Sequence, residues 1–131
     1  MDSGASESVA PPSMCPHYKV RESAGSKIGQ CYVSASDDPI PNLGEQELPA
    51  VTMEGRDADV TYQIADVTRP LNAVSEICDG GGDNGQLVIF GKYGGVIFNP
   101  ETGSRTQFER EEGVYCLDLF VKPPAGFQRQ G

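Results

Sequence analysis

Leu87-Val88-Ile89-Phe90-Gly91-Lys92-Tyr93-Gly94-Gly95-Val96-Ile97-Phe98 decides the fold class of this chain. Two short apolar runs, rich in β-branched and aromatic side chains, flank a link bounded by glycine, which is the pattern of a β-hairpin. Because neither run alternates with polar residues, both strands are predicted to be buried on both faces. Downstream, Asn99-Pro100-Glu101-Thr102-Gly103 carries proline and glycine where a type I turn wants them. Residues 114–121, with Tyr115, Leu117, Leu119 and Phe120, read as the last strand. Pro123-Pro124 ends further pairing, and a disordered tail is expected over 122–131.

Upstream, Leu71, Val74, Ile77 and Cys78 recur at helical spacing, with Thr68 and Pro70 as entry signals and Gly80-Gly81-Gly82 as the stop. This predicts one short helix. In residues 60–67, Val60, Tyr62 and Ile64 alternate with Thr61, Gln63 and Ala65 at the period of a half-buried strand. Its expected partner is residues 48–53, across Glu54-Gly55-Arg56-Asp57. Residues 30–35 and 39–43 flank the polar turn Ser36-Asp37-Asp38 and predict an exposed, mobile hairpin, since Pro39 and Pro41 keep the second arm out of a central strand. Sixteen glycines and ten prolines punctuate these pieces, so the chain reads as mainly β. Its 131 residues form one domain, able to bury about two-thirds of its unfolded surface.

Ten basic against nineteen acidic residues give a net charge of −9. Such a surface repels phosphate backbones and anionic lipid, which argues against direct nucleic-acid or membrane binding. No apolar run approaches the ~18 residues of a membrane span, and Met1 is followed by an acid where a secretion signal has basic residues. A soluble, intracellular product is expected. Cys15, Cys31, Cys78 and Cys116 form no C-x-x-C, so neither a zinc finger nor a redox motif is written here. They read as reduced thiols; in an oxidising compartment the same four would permit two disulfides in any of three pairings.

Asp2-Ser3-Gly4-Ala5 occurs once, at the start of the chain. A carboxylate on a tight Ser-Gly turn is what an aspartic protease uses to hold a water molecule: glycine lets the backbone turn closely behind the acid, and the hydroxyl can hydrogen-bond to a partner loop. One acid cannot both donate and accept a proton, so a second Asp2 has to come from another copy. The same residues also read as a frayed polar terminus.

Other motifs carry less. Gly80-Gly81-Gly82-Asp83-Asn84-Gly85 fits G-x-G-x-x-G, but a helix precedes it and a strand follows, the reverse of a dinucleotide site. Asp79, Asp83 and Asn84 lack the terminal bidentate acid of a calcium loop. His17, the single histidine, has only Cys15 near it, too few ligands for a metal and too close in sequence for a nucleophile pair. Glu109, Glu111 and Glu112 read as a solvated turn.

Taken together, the chain resembles the protease segment of copia-like retrotransposon polyproteins. Those segments open on D-S-G-A-S, here Asp2-Ser3-Gly4-Ala5-Ser6, and continue through a flap hairpin to a stretch like L-L-S-V-S-x-L, here Leu71-Asn72-Ala73-Val74-Ser75-Glu76-Ile77. A V-x-F strand, a T-G turn and a G-x-Y-x-L strand follow, matched by Val88-Ile89-Phe90, Thr102-Gly103 and Gly113-Val114-Tyr115-Cys116-Leu117. The likeness runs over residues 2–121 in the same motif order, with 86–121 resembling the segment after the protease. It implies a retropepsin fold, a small closed β-barrel-like unit with a flap hairpin and one short helix, that dimerises to bring two Asp2 side chains together. By the same resemblance Ser3 and Gly4 form the active-site turn, Ala5 and Ser6 line the floor, and Ala35, Ser36 and Asp37 form the flap tip over an extended peptide from a polyprotein. Neither metal nor cofactor is implied, and the location implied is the cytoplasm or a retroelement particle. Departures are the lone Met1 where the family has an apolar strand, and Asn72-Ala73 where Leu-Ser is usual. They leave open a second expectation: a fragment or non-catalytic remnant serving as a peptide- or protein-binding module.

Overall fold

Strand β4 (Gly44–Leu48) and strand β6 (Val60–Ile64) lie antiparallel at the centre of the molecule, with Gln46 opposite Tyr62 and Leu48 opposite Val60. The structure, a computed structural model, describes residues 1, 7–33 and 37–124. Strand accounts for 41% and helix for 9%, so the chain is mainly β, as the sequence predicts. The inward positions of β4 and β6, together with Ala10, build the core: Ala10, Leu48, Tyr62 and Ile64, with Met14, Cys15, Tyr18 and Val60 packed against them. Strand β1 (Val9–Ala10) joins β6 in parallel, giving the order β1-β6-β4.

The hairpin expected between residues 48–53 and 60–67 is not the pairing that forms. Pro49 has no N–H to continue a ladder. After it the chain turns away as strand β5 (Ala50–Thr52), which pairs with strand β11 (Leu119–Val121). Strand β6 takes β4 instead. The final strand is likewise split: strand β10 (Val114–Cys116) stays with strand β9 (Arg105–Glu111), while β11 crosses to β5. Of the tail expected over 122–131, Lys122 donates its N–H to Pro49 O at 2.8 Å and its ammonium to Asp57 at 2.7 Å; residues 125–131 lie outside the described residues.

Strands β7 (Leu87–Phe90) and β8 (Gly94–Phe98) form the expected hairpin and extend into a sheet ordered β10-β9-β8-β7. Burial on both faces is corrected by the structure. The inner face carries Phe90, Phe108 and Tyr115, packed edge to face with centroids 4.8 to 5.9 Å apart. On the outer face Leu87 stands opposite Phe98 and Ile89 opposite Val96, with Leu87 54% and Ile89 53% exposed. Only one layer packs on this sheet, so an apolar run that reads as doubly buried is buried once.

The closed barrel is corrected too: the sheet curls into a half-barrel, and no closed barrel forms among the described residues. Its strands divide into four separate sheets; among the described residues β7 is an open edge, while the outer edge of β4 is bridged by Arg21, which exchanges N–H to O bonds with Glu45 at 2.9 and 2.8 Å. There are also two short helices where one was expected. Helix α2 (Val74–Asp79) follows the predicted stop at Gly80, but its first turn begins after Leu71, which is held in a bridge to Val9. Helix α1 (Ala24–Lys27) has no apolar period; a reciprocal cap makes it, with Ser23 Oγ accepting from Ser26 N–H at 3.1 Å and Ser23 N–H donating to Ser26 Oγ at 2.9 Å.

These burials predict opposite outcomes for two isoleucines. Ile64→Ala, at a fully buried position, is expected to cost about 2–5 kcal/mol in urea unfolding. Ile89→Ser, on the open outer face, is expected to stay within about 0.5 kcal/mol; an equal loss at both would show that the outer face is covered.

Candidate functional site

The chain leaving the D-S-G-A-S segment is fixed on both sides. Gln63 N–H of β6 donates to Ser8 O at 2.9 Å, while Val9 and Leu71 exchange N–H to O bonds of 2.9 and 2.7 Å on the other side. Ser8 is buried; its N–H donates to Glu76 Oε1 at 2.7 Å and its Oγ accepts from Ala73 N–H at 3.0 Å. Ala73 is the N-cap of α2 and has no side-chain cap of its own, so Ser8 supplies the missing acceptor from a distant part of the chain. The unusual Asn72 is accommodated by Tyr62, whose phenol donates to Asn72 Oδ1, and Ala73 beside it is fully buried.

Above this segment stands a two-stranded ribbon, β2 (Cys31–Val33) and β3 (Pro39–Pro41), with Tyr32 opposite Ile40. It is the hairpin predicted from the prolines. Cys31 and Val33 face solvent while Tyr32 turns inward, and its phenol donates to Glu7 Oε2 at 3.0 Å. Asn42 anchors the base of the ribbon: its Nδ2 lies 3.3 Å from Tyr32 Oη, 3.0 Å from Gln63 Oε1 and 3.1 Å from Gln30 Oε1. Its Oδ1 accepts from Gly44 N–H at 2.9 Å. Gly44 sits at φ 135°, and a Cβ there would lie 2.4 Å from Arg21 O, so only glycine allows the chain to pass from the ribbon into β4.

Of the residues expected at the site, Asp2, Ser3, Gly4, Ala5, Ser6, Ala35 and Ser36 lie outside the described residues. Asp37 is described: it is exposed, at φ 63°, a left-handed conformation that Asp tolerates better than most residues. Glu7, Ser8, Tyr32 and Asn42 were not read as site residues from the sequence. A single inward aromatic between two outward residues of the ribbon was the available signal for Tyr32.

The other motifs stay apart from this region. His17 is exposed and Cys15 half-buried, and burial pushes the Cys15 thiol up, away from the thiolate a nucleophile needs. The glycine-rich loop is fastened to the turn after β8, with Asn99 Nδ2 donating to Gly81 O at 2.7 Å and Asn84 Nδ2 to Glu101 Oε1 at 2.5 Å. Among the described residues no group of three His, Cys, Asp or Glu is placed to hold a metal ion, and the four cysteines are free. No described helix is long and apolar enough to cross a membrane. Comparisons with protein families, with curated proteins and with solved structures find no match.

Tyr32→Phe removes the link between ribbon and Glu7. The expected result is faster amide exchange at residues 31–33 and 39–41, with a global loss near 1 kcal/mol; unchanged exchange there would mean that the bond does not hold the ribbon. Two phenols also predict alkaline sensitivity. Burial, opposed in part by the Asn72 hydrogen bond, pushes Tyr62 up to about 12. Burial first, then the Glu7 hydrogen bond, raises Tyr32 further still. A pKa raised by folding gives stability that is full below the unfolded value of about 10 and is lost as pH rises toward the folded value. Urea midpoints are therefore expected to fall between pH 10 and about 12, and to fall less in Tyr62→Phe; identical falls would remove Tyr62 as the cause.

Proposed function

We propose that the chain is an aspartic endopeptidase of retroelement origin, retropepsin-like in fold and active as a homodimer, with the β2–β3 ribbon as its flap. The observation that carries this reading is the fixed course of the chain directly after D-S-G-A-S. Glu7 is held by the ribbon, and Ser8 and Val9 are held by β6 and by the entry to α2. Asp2 stands five residues before Glu7 in sequence, so an acid there is tethered closely to fixed sheet, which favours the precise positioning that a catalytic group requires.

Two carboxylates brought within about 3 Å across a two-fold axis cannot both ionise, and they hold one proton between them. The ionised Asp2 takes a proton from water, which attacks the peptide carbonyl, while the protonated Asp2 of the other copy polarises the carbonyl oxygen. The substrate is an extended polyprotein segment, bound as an added strand between flap and floor, in the cytoplasm or a retroelement particle.

A second reading is favoured by a different observation. The outer face of β7 and β8 presents Leu87 and Ile89 to solvent beside an open sheet edge, a surface suited to pairing with another chain. In that reading the chain is a non-catalytic binding module of the same lineage.

Peptide cleavage measured across pH 4–7, with sedimentation to fix the oligomeric state, separates the two. The enzyme reading expects a dimer, a bell-shaped pH profile and loss of roughly 10³-fold or more in rate for Asp2→Asn. A monomer whose cleavage is absent or indifferent to Asp2→Asn supports the binding module.

A further inference from the structure

A cleft of about 410 Å³ separates the central β1-β6-β4 sheet from the inner face of the β7–β10 sheet. It falls within the range of small-molecule sites, roughly 300–1,000 Å³. One wall is the loop from Thr52 to Thr61, another is the stretch around α2 with Asn72 and Glu76, and the third is Ile97, Ser104 and Thr106. The function proposed above leaves this cleft unused.

The turn that carries Arg56 is tightly made. Thr52 N–H donates to Arg56 O at 2.8 Å, Arg56 N–H donates back to Thr52 Oγ1 at 3.3 Å, and Gly55 follows the bend at φ 82°. Glu54 docks the turn against β9, accepting from Gln107 N–H at 2.9 Å. Next in sequence to Gln107, Thr106 lines the cleft with Arg56. Arg56 Nη1 is buried, yet it has no hydrogen-bond acceptor. A buried guanidinium N–H without a partner is among the costliest polar groups to leave unmet, because it keeps its charge at every accessible pH.

The carboxylates around the cleft do not satisfy it. Asp57 is committed to Lys122 at 2.7 Å, Glu54 to the Gln107 N–H, and Glu76 to the Ser8 N–H at 2.7 Å. Asp59 also lines the wall. Among the described residues none of the four comes within 4.0 Å of Arg56 as an ion pair, although the Glu54 carboxyl is held below its usual range by the Gln107 N–H first and, in smaller part, by the guanidinium charge. On the far wall Ser104 Oγ accepts from Thr102 Oγ1 at 2.9 Å, which leaves the Ser104 proton to donate.

We propose that this cleft binds a small organic carboxylate, its oxygen accepting from Arg56 Nη1 and its polar body hydrogen-bonded along the Ser104 and Thr106 wall. Arg56 is the one Lys or Arg in the lining, against Asp57, Asp59 and Glu76, of which Asp57 is neutralised by Lys122, so a single ligand charge held directly on the guanidinium is the most that the walls accommodate. A phosphate dianion is disfavoured, because its second charge would face Asp59 and Glu76 without a counter-cation.

The test uses N-acetylglycine as probe, with its neutral amide, N-acetylglycinamide, and inorganic phosphate as comparisons, followed by amide and Arg side-chain NMR shifts on the full chain. N-acetylglycine is expected to produce saturable shifts at Arg56, Ser104, Thr106 and Gln107, with the amide weaker by roughly tenfold or more. Arg56→Gln is expected to abolish saturation while leaving the spectrum of the β1-β6-β4 sheet in place. Equal binding of acid and amide in the wild type, or saturation that persists in Arg56→Gln, overturns the proposal. So does tighter binding of phosphate than of N-acetylglycine, or the absence of any saturable shift, which would assign the Arg56 proton to water. Because the acid-to-amide comparison is made in the wild type, it decides the matter even where the variant does not fold.

Discussion

The pairing of Ser8, Val9 and Ala10 on both flanks is the constraint from which the rest of this structure follows. A buried backbone must have its N–H and C=O groups bonded, and here β6 satisfies one side while the Leu71–Ala73 stretch satisfies the other. That one insertion brings together three parts of the chain far apart in sequence. It sets where α2 begins, because Leu71 and Ala73 are held in extended backbone until Val74. It also puts Ala10 into the core, next to Leu48, Tyr62 and Ile64. A small domain gains little from its limited apolar interior, so a short strand bonded on both flanks, to β6 and through the Val9–Leu71 bridge, contributes markedly to its order.

Polar side chains inside this core act as specific ties. Gln46 is almost wholly buried, and its Nε2 donates to Cys15 O at 3.1 Å and Tyr18 O at 2.9 Å, which folds the loop after β1 over the apolar cluster. Asn42 does the same for the ribbon. Such groups fix a unique arrangement through the bonds they make, and they cost stability where one is unmet, as at Gln46 Oε1, which is buried without a partner. Buried amides thus stand where loops must be held in one position over a sheet: Gln46 for the loop after β1, Asn42 for the ribbon and Asn99 for the glycine-rich loop.

How much of this was legible depends on which force shaped each element. The β7–β8 hairpin, the ribbon with Pro39 and Pro41, the strand carrying Tyr62 and Ile64, and the helix before Gly80 were legible because apolar period and turn chemistry mark them locally. Strand β4 was not: Gly44-Glu45-Gln46-Glu47-Leu48 has almost no apolar alternation, and its inward Gln46 is recognisable only once the carbonyls of Cys15 and Tyr18 are seen above it. Helix α1 rests on two serine hydroxyls and has no apolar face to announce it. The partner exchange between β5, β6 and β11 is a tertiary choice forced by Pro49, and local pattern does not choose among distant strands. At the candidate site, the D-S-G-A-S motif is a reading of the sequence that lies outside the described residues, whereas the roles of Ser8 and Tyr32 come from contacts 65 and 25 residues apart in sequence.

The ribbon shows how these constraints act together. Among the described residues, strands β2 and β3 pair only with each other. A two-stranded ribbon alone is marginally stable, so its place over the sheet rests on side-chain ties: Tyr32, at the middle of β2, to Glu7, and Asn42, at its base, to the β6 side chain Gln63. Gly44, in a backbone conformation closed to other residues, is the point where the ribbon's base meets the central sheet. The carboxylate that holds the ribbon belongs to Glu7, the first described residue after the D-S-G-A-S segment. The ribbon and the fixed chain that begins at Glu7 are therefore joined by a phenol-to-carboxylate bond between residues 25 apart in sequence.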